Sequence, residues 1–231
     1  MYIALLSDIH SNIFALDAVF ADFKNKKIDK IIVAGDLIGY YYWPKKVINK
    51  LLNDDRVICI SGNHEKILKI SMSDDYESSK YKKKYGSGYE FCINQLSTSE
   101  LDWVTNLPEY LNVKINNFTF SIAHGSLKNP DKYVYPDIPS NILDNNHSKS
   151  DFTILGHTHY PFIKCNGDNT IINPGSVGQP RDISRIASYV LINTQNRAIT
   201  FRRVRFDIDE IISAAKKYDP EIPYLRTVLE R

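Results

Sequence analysis

Five short, largely apolar runs in this chain each end abruptly in a polar cluster. The clusters are Asp8-Ile9-His10, Gly35-Asp36, Gly62-Asn63-His64-Glu65, His124-Gly125 and Gly156-His157-Thr158-His159, and they contain five of the six histidines. Such runs read as buried strands, which places the polar residues at strand ends, where open α/β sheets bind their ligands. The donors are carboxylates, imidazoles and one amide oxygen, with no cysteine among them. Hard and borderline donors of this kind suit first-row divalent metals such as Mn, Fe, Zn, Co or Ni.

The rest of the pattern supports an α/β fold. Residues 3–6, 31–34 and 57–60 read as strands. Between them, Ile13, Leu16, Val19, Phe20 and Phe23 fall at helical spacing, and Val47, Ile48, Leu51 and Leu52 mark a second helix. Strand–helix–strand–helix–strand with near-continuous apolar strands predicts a parallel sheet covered on both faces. Residues 66–107 are helical and more polar, with Ser97-Thr98-Ser99-Glu100 as a capping-box start. Asn116-Asn117 joins strands 111–115 and 118–123 as a hairpin, and 130–150, rich in Pro, Asn and Ser, reads as a loop. Residues 152–155 form a further buried strand. Runs 162–165, 170–172, 189–192 and 199–204 read as antiparallel strands, followed by a helix over 209–217. No repeat or linker interrupts the chain, so one domain spanning 1–231 is expected.

Composition narrows the classes. A net charge of +2 over 231 residues leaves no tail for nucleic acid, and Lys80 to Lys84 read as a solvated helix face, so stable nucleic-acid binding is not expected. Three scattered cysteines argue against a disulfide framework, with Cys59 expected in the core. The first apolar run is too short for a signal peptide, and no stretch is long enough to cross a membrane. A cytoplasmic location and no membrane partner are expected; oligomeric state is left open.

Seven residues could converge on one site: Asp8, His10, Asp36, Asn63, His124, His157 and His159. A spacing of two in extended chain would turn Asp8 and His10, or His157 and His159, to one side. Seven donors are one short of two four-ligand sites, so one must bridge, and Asp36 is the natural carboxylate for it. Taken singly, each residue has a plainer reading as a cap, a turn residue or a core histidine. All of them at successive strand ends make a metal site the better one.

In that order the motifs resemble the calcineurin-like metallophosphoesterase superfamily, over residues 1 to about 205. The segment Asn173 to Arg181 is similar to its small prokaryotic branch of phosphodiesterases and asymmetrical diadenosine tetraphosphate hydrolase-like proteins. The resemblance implies a four-layer αββα sandwich of two mixed β-sheets flanked by helices. It implies two divalent metal ions, Mn or Fe first and Zn, Co or Ni next. Asp8, His10, Asp36 and His159 would hold one ion, and Asp36, Asn63, His124 and His157 the other. It further implies hydrolysis of phosphodiester or phosphoanhydride bonds in nucleotide-type substrates, by direct attack of a hydroxide shared between the metals. His64 would protonate the leaving oxygen, with Glu65 orienting its ring. A phosphomonoesterase or protein phosphatase would share every ligand. A non-catalytic scaffold on this fold would tend to lose them.

The chain departs from its relatives in the loop Gly39-Tyr40-Tyr41-Tyr42-Trp43-Pro44. Tyr41 and Trp43 could stack a nucleobase; alternatively the aromatics anchor the loop and the next helix on the core, which suits their burial tendency better. Asn63 and Arg181 are also expected to face substrate, unless Arg181 instead pairs with Asp182. His147 is expected to be exposed.

Overall fold

Period-two alternation in the apolar strands decides the layering. In β1 (Tyr2–Leu6), Ile3 and Leu5 fall on one face and Ala4 and Leu6 on the other, and all four are fully buried. β2 (Ile28–Val33) repeats the arrangement, with Ile32 on the first face and Ile31 and Val33 on the second. Burying each such Ile, Leu or Val side chain stabilises the fold by about 1.5–3 kcal/mol. The structure is a computed structural model that describes residues 1–23, 26–139 and 148–231; His147 lies outside them.

Two five-stranded mixed sheets result. The first runs β10 (Ala198–Arg205), β9 (Ile186–Asn193), β1, β2 and β3 (Val57–Cys59). Its β1–β2 and β2–β3 pairs are parallel, and β9 is antiparallel to both β1 and β10. The second runs β4 (Tyr110–Ile115), β5 (Phe118–Ala123), β6 (Phe152–Ile154), β8 (Asn169–Asn173) and β7 (Phe162–Asn166). The hairpin over Asn116-Asn117 is present, with Asn116 at φ 56°. One expectation needs correction: β8 is antiparallel to β7 but pairs in parallel with β6. Spacing and turn residues report the local hairpin and not the far-side neighbour.

Ile3, Leu5 and Ile32 meet Phe120, Ile122, Phe152, Ile154 and Ile172 between the sheets. Ala4, Leu6, Ile31 and Val33 face the helices: α1 (Ile13–Asp22), α2 (Pro44–Leu52), α3 (Asn63–Ser71), α4 (Asp75–Tyr85), α5 (Gly88–Gln95), α6 (Thr98–Thr105), α7 (Asp209–Tyr218) and α8 (Tyr224–Glu230). Two mixed sheets flanked by helices is the arrangement the resemblance implies. The α6 capping box forms, with Glu100 Oε2 accepting from Ser97 N at 2.7 Å. α8 is additional to the sequence reading. Its signal was Leu225, Val228 and Leu229 at helical spacing after Pro223, all buried. Among the described residues no helix is long and apolar enough to cross a membrane.

Candidate metal centre

The turns after β1, β2, β5 and β6 and the start of α3 meet at one end of the sheets. Asp8, His10, Asp36, His157 and His159 have φ between 51° and 68°, in the left-handed region. Such backbone costs a non-glycine residue about 1–3 kcal/mol and persists only where its surroundings hold it. Here the turns hold one another. Asp8 N donates to Gly35 O (3.1 Å), His10 N to Asp36 O (3.0 Å) and Gly178 N to Asp8 O (3.0 Å). The pairs Asp8/His10 and His157/His159 therefore turn inward through left-handed kinks and not through extended alternation, which corrects the spacing argument.

The donor atoms fall into three overlapping groups, each with its atoms within 4.8 Å of one another: Asp8, His10 and His159; His10, Asp36 and His64; and Asp36, His124 and His157. Asn63 joins the last group, its Oδ1 lying 3.2 Å from His124 Nε2. All seven sequence-derived donors are thus brought together. Backbone carbonyls fix three rings: Nδ1 of His10 donates to Ile38 O (3.2 Å), of His124 to Ala34 O (2.7 Å) and of His159 to Gln179 O (2.6 Å). That commits Nδ1–H outward and aims Nε2 at the centre, the orientation metal-binding imidazoles take. His157 is reversed, its Nε2 donating to Asp131 O (3.3 Å).

A cation fits this set. His10 Nε2 and His159 Nε2 approach to 3.1 Å, lone pair against lone pair once both Nδ1 protons are committed. Asp8 Oδ1 is buried without a hydrogen bond, although His159 Nε2 is 3.2 Å away. Burial disfavours the ionised Asp8, yet the facing His159 and His124 rings hold its carboxyl well below the usual range. Asp36 behaves alike, with His124 and His64 outweighing its burial. Burial pushes His64 and His157 down to about 4. Burial also opposes charge on His124, but Asp36 and Asp8 prevail and push it up to about 10. Two ionised, solvent-excluded carboxylates beside the His10 and His157 rings, which burial keeps neutral, form a pocket that a cation completes.

The sequence profile of the calcineurin-like phosphoesterase superfamily domain matches residues 1–197. The chain belongs to this superfamily. It is 32% identical to an uncharacterised protein of Methanocaldococcus jannaschii, over 89% of this chain and 88% of that one. It is 27% identical to a probable metallophosphoesterase of the same organism, over 78% and 70% of the respective chains. Its fold is similar to the crystal structure of a metallophosphoesterase from Sphaerobacter thermophilus, with a TM-score of 0.80 and 24% identity, covering 99% of this chain and 98% of the other. By family this protein is a metal-dependent phosphoesterase, a hydrolase of phosphoric esters, and its donor clusters imply divalent metal ions.

Around the phosphoesterase donors, several expectations change. Glu65 does not reach the His64 ring. Its carboxylate accepts from Gly62 N (2.7 Å), Asp36 N (3.0 Å), Leu37 N (2.8 Å) and Ile38 N (3.2 Å), tying the Asp36 turn to the first turn of α3. Burial and the neighbouring Asp36 carboxylate push its carboxyl up to about 7. The close approach requires Gly62, since a Cβ there would collide with the Asp36 carboxylate. His64 N in turn donates to Asp36 Oδ1 (2.9 Å), setting the carboxylate at a helix N-terminus.

The ring of His64 is oriented by Tyr89, whose hydroxyl lies 2.6 Å from Nδ1. Tyr89 lies within the helical stretch 66–107, and no local pattern links it to a residue 25 positions away. Tyr40 and Tyr85 also pack against His64, at centroid separations of 4.7 and 5.0 Å.

The base-stacking expectation for Tyr41 and Trp43 is also corrected. Tyr41 is fully buried and donates to Leu225 O (3.3 Å). Tyr42 donates to Asp219 Oδ2 (2.8 Å). Trp43 packs edge-on against Phe14 and lines a groove with Phe91, Gln95 and Lys217, away from the donor residues. An apolar ring next to a vacant core position is better buried than exposed, so this loop anchors. Asp182 pairs with Arg203 and not with Arg181. Arg181 lies within electrostatic reach of Asp8, Tyr40 and Tyr133, and its Nε is buried without a partner.

Proposed function

We propose that this protein hydrolyses phosphodiester or phosphoanhydride bonds of nucleotide-type substrates, diadenosine tetraphosphate among them, at a two-metal centre. The observation that carries this reading is the position of Asp36 Oδ2. It lies 3.8 Å from His10 Nε2 and 3.0 Å from His124 Nε2, facing both outer donor groups. Asp8, His10, Asp36 and His159 are assigned to one ion, and Asp36, Asn63, His124 and His157 to the other, with Mn or Fe ahead of Zn, Co or Ni. When bound, such ions neutralise phosphoryl charge and lower the pKa of water. The chain's own residues position the ester. Arg181, whose Nε has no partner, offers its guanidinium to the phosphoryl oxygens. Asn63, with its oxygen turned to His124, has its amide N–H left for the same group. The Tyr89 hydroxyl holds His64 at Nδ1, so Nε2 faces the leaving oxygen, and in the protonated ring Nδ1–H donates to that hydroxyl. An arriving phosphate anion favours a protonated His64, offsetting its burial. A single domain spanning 1–231, in the cytoplasm, completes the reading.

Turnover of a chromogenic diester with added Mn²⁺, a chelator control, and a panel of monoesters and dinucleoside polyphosphates test it. Chelator-sensitive turnover is expected, with diesters or polyphosphates preferred. Exclusive turnover of monoesters would replace the reading by the phosphomonoesterase that shares every donor. No turnover with metal bound would leave the scaffold.

A further inference from the structure

One aromatic pair at the mouth of the centre is not used by that reading. The segment that carries it is pinned: Ser126 N donates to Asn129 O (2.9 Å) and Asp131 N to Asn129 Oδ1 (2.9 Å). Val134, 1% exposed, is buried with Ala123, Leu155, Phe162 and Ile171. Its neighbours are left outward, Tyr133 at 44% and Tyr135 at 41% exposure. The two rings are nearly parallel, 11° apart with centroids at 5.7 Å. Tyr133 is also stacked on the ring of His157, at 3.9 Å and 18°. Arg181 and Lys84 both lie within electrostatic reach of Tyr133.

The geometry points to an aryl-binding subsite formed by Tyr133 and Tyr135, which takes the flat ring of a nucleobase carried by the phosphoester being hydrolysed. Tyr133 already carries His157 on one face, so the face offered for stacking is that of Tyr135, held parallel to it on an anchored turn, and little ordering entropy remains to be lost on binding. Every nucleobase has a π-face, so the platform selects for a base without selecting which one. The stack on His157 places it one ring away from the donor groups, within reach of a base attached through its sugar to the phosphoryl centre. The cations at Arg181 and Lys84 match the anionic part of such a ligand. The inference deepens the phosphodiesterase reading and rests on it.

Two diesters with one leaving group separate the questions. The p-nitrophenyl ester of thymidine 5′-phosphate carries a base, and methyl p-nitrophenyl phosphate does not. The Mn²⁺-loaded protein is expected to prefer the nucleotide ester in kcat/KM, mainly through KM. Tyr135→Ala lowers that preference roughly tenfold, the scale of one base–aromatic stack, and Tyr135→Phe retains it. Saturation-transfer NMR of thymidine with metal-free protein reads the contact without turnover. Saturation should reach the base protons in the wild type and fade in Tyr135→Ala. An unchanged preference in Tyr135→Ala, or base saturation equal in the two proteins, overturns the subsite. No turnover of either ester, with base saturation intact and lost in Tyr135→Ala, would strike the phosphodiesterase reading and leave the subsite standing.

Discussion

Replacing Glu65 tests how the Asp36 turn is held. Its carboxylate serves four backbone donors, Gly62, Asp36, Leu37 and Ile38, all within 3.2 Å and all buried. In Glu65→Ala each donor loses its acceptor inside the protein. At about 1 kcal/mol per unsatisfied donor, the low end of the usual penalty, the loss is about 4 kcal/mol. For a chain of this size that corresponds to a fall in Tm of roughly 8–16 °C. Glu65→Gln is the sharper variant because it keeps the volume. Its amide oxygen can serve Leu37 and Ile38, but its NH₂ then faces the N–H groups of Gly62 and Asp36, so about 2–3 kcal/mol is lost. The loosened turn carries Asp36, so metal content should fall while the far sheet stays folded. Thermal unfolding by circular dichroism, with elemental analysis of the refolded protein, measures both. A Glu65→Gln protein that melts with the wild type and keeps its metal would refute the argument that these four hydrogen bonds position Asp36.

Asp36→Asn should reduce bound metal toward one ion or none per chain and abolish activity; a folded variant that retains two ions by elemental analysis removes Asp36 from the bridging role. His64→Ala should keep its metal while kcat falls by roughly 10²–10⁴, with a smaller loss for a nitrophenolate than for an alkoxide leaving group. Loss of metal, or equal slowing of both ester types, would make His64 a ligand or a phosphate-positioning group instead. His124, pushed up to about 10 before metal binds, must shed a proton to offer Nε2 as a ligand. Metal affinity should therefore rise with pH between about 6 and 9 and loading should release a proton, and calorimetry in buffers of different ionisation enthalpy that finds no proton release would show the ring neutral beforehand.

Period and local chemistry carry everything that could be read from the chain before it folds. Strand alternation in Ile3–Leu6 and its repeats placed the sheets, because burial depends on which face a side chain takes. The Asn116 turn and the Ser97–Glu100 cap were legible because their hydrogen bonds close within a few residues. The seven donors were legible because each follows a strand, although they come from both sheets and only the packing of one sheet on the other brings them to one centre. Tertiary structure alone decided how the donors are aimed and what surrounds them. The left-handed turns at Asp8, His10, Asp36, His157 and His159 exist only because neighbouring turns hold them. Glu65 turned to the backbone and left the ring of His64 to Tyr89, a partner in another helix. Tyr41 and Tyr42 went into the core because Leu225 and Asp219 offered acceptors there, while Tyr133 and Tyr135 were turned outward by the burial of Val134. The physical reason is range: a side chain's face follows from its own segment, but its hydrogen-bond partner is set by whatever the folded chain brings within 3 Å, which no local pattern encodes.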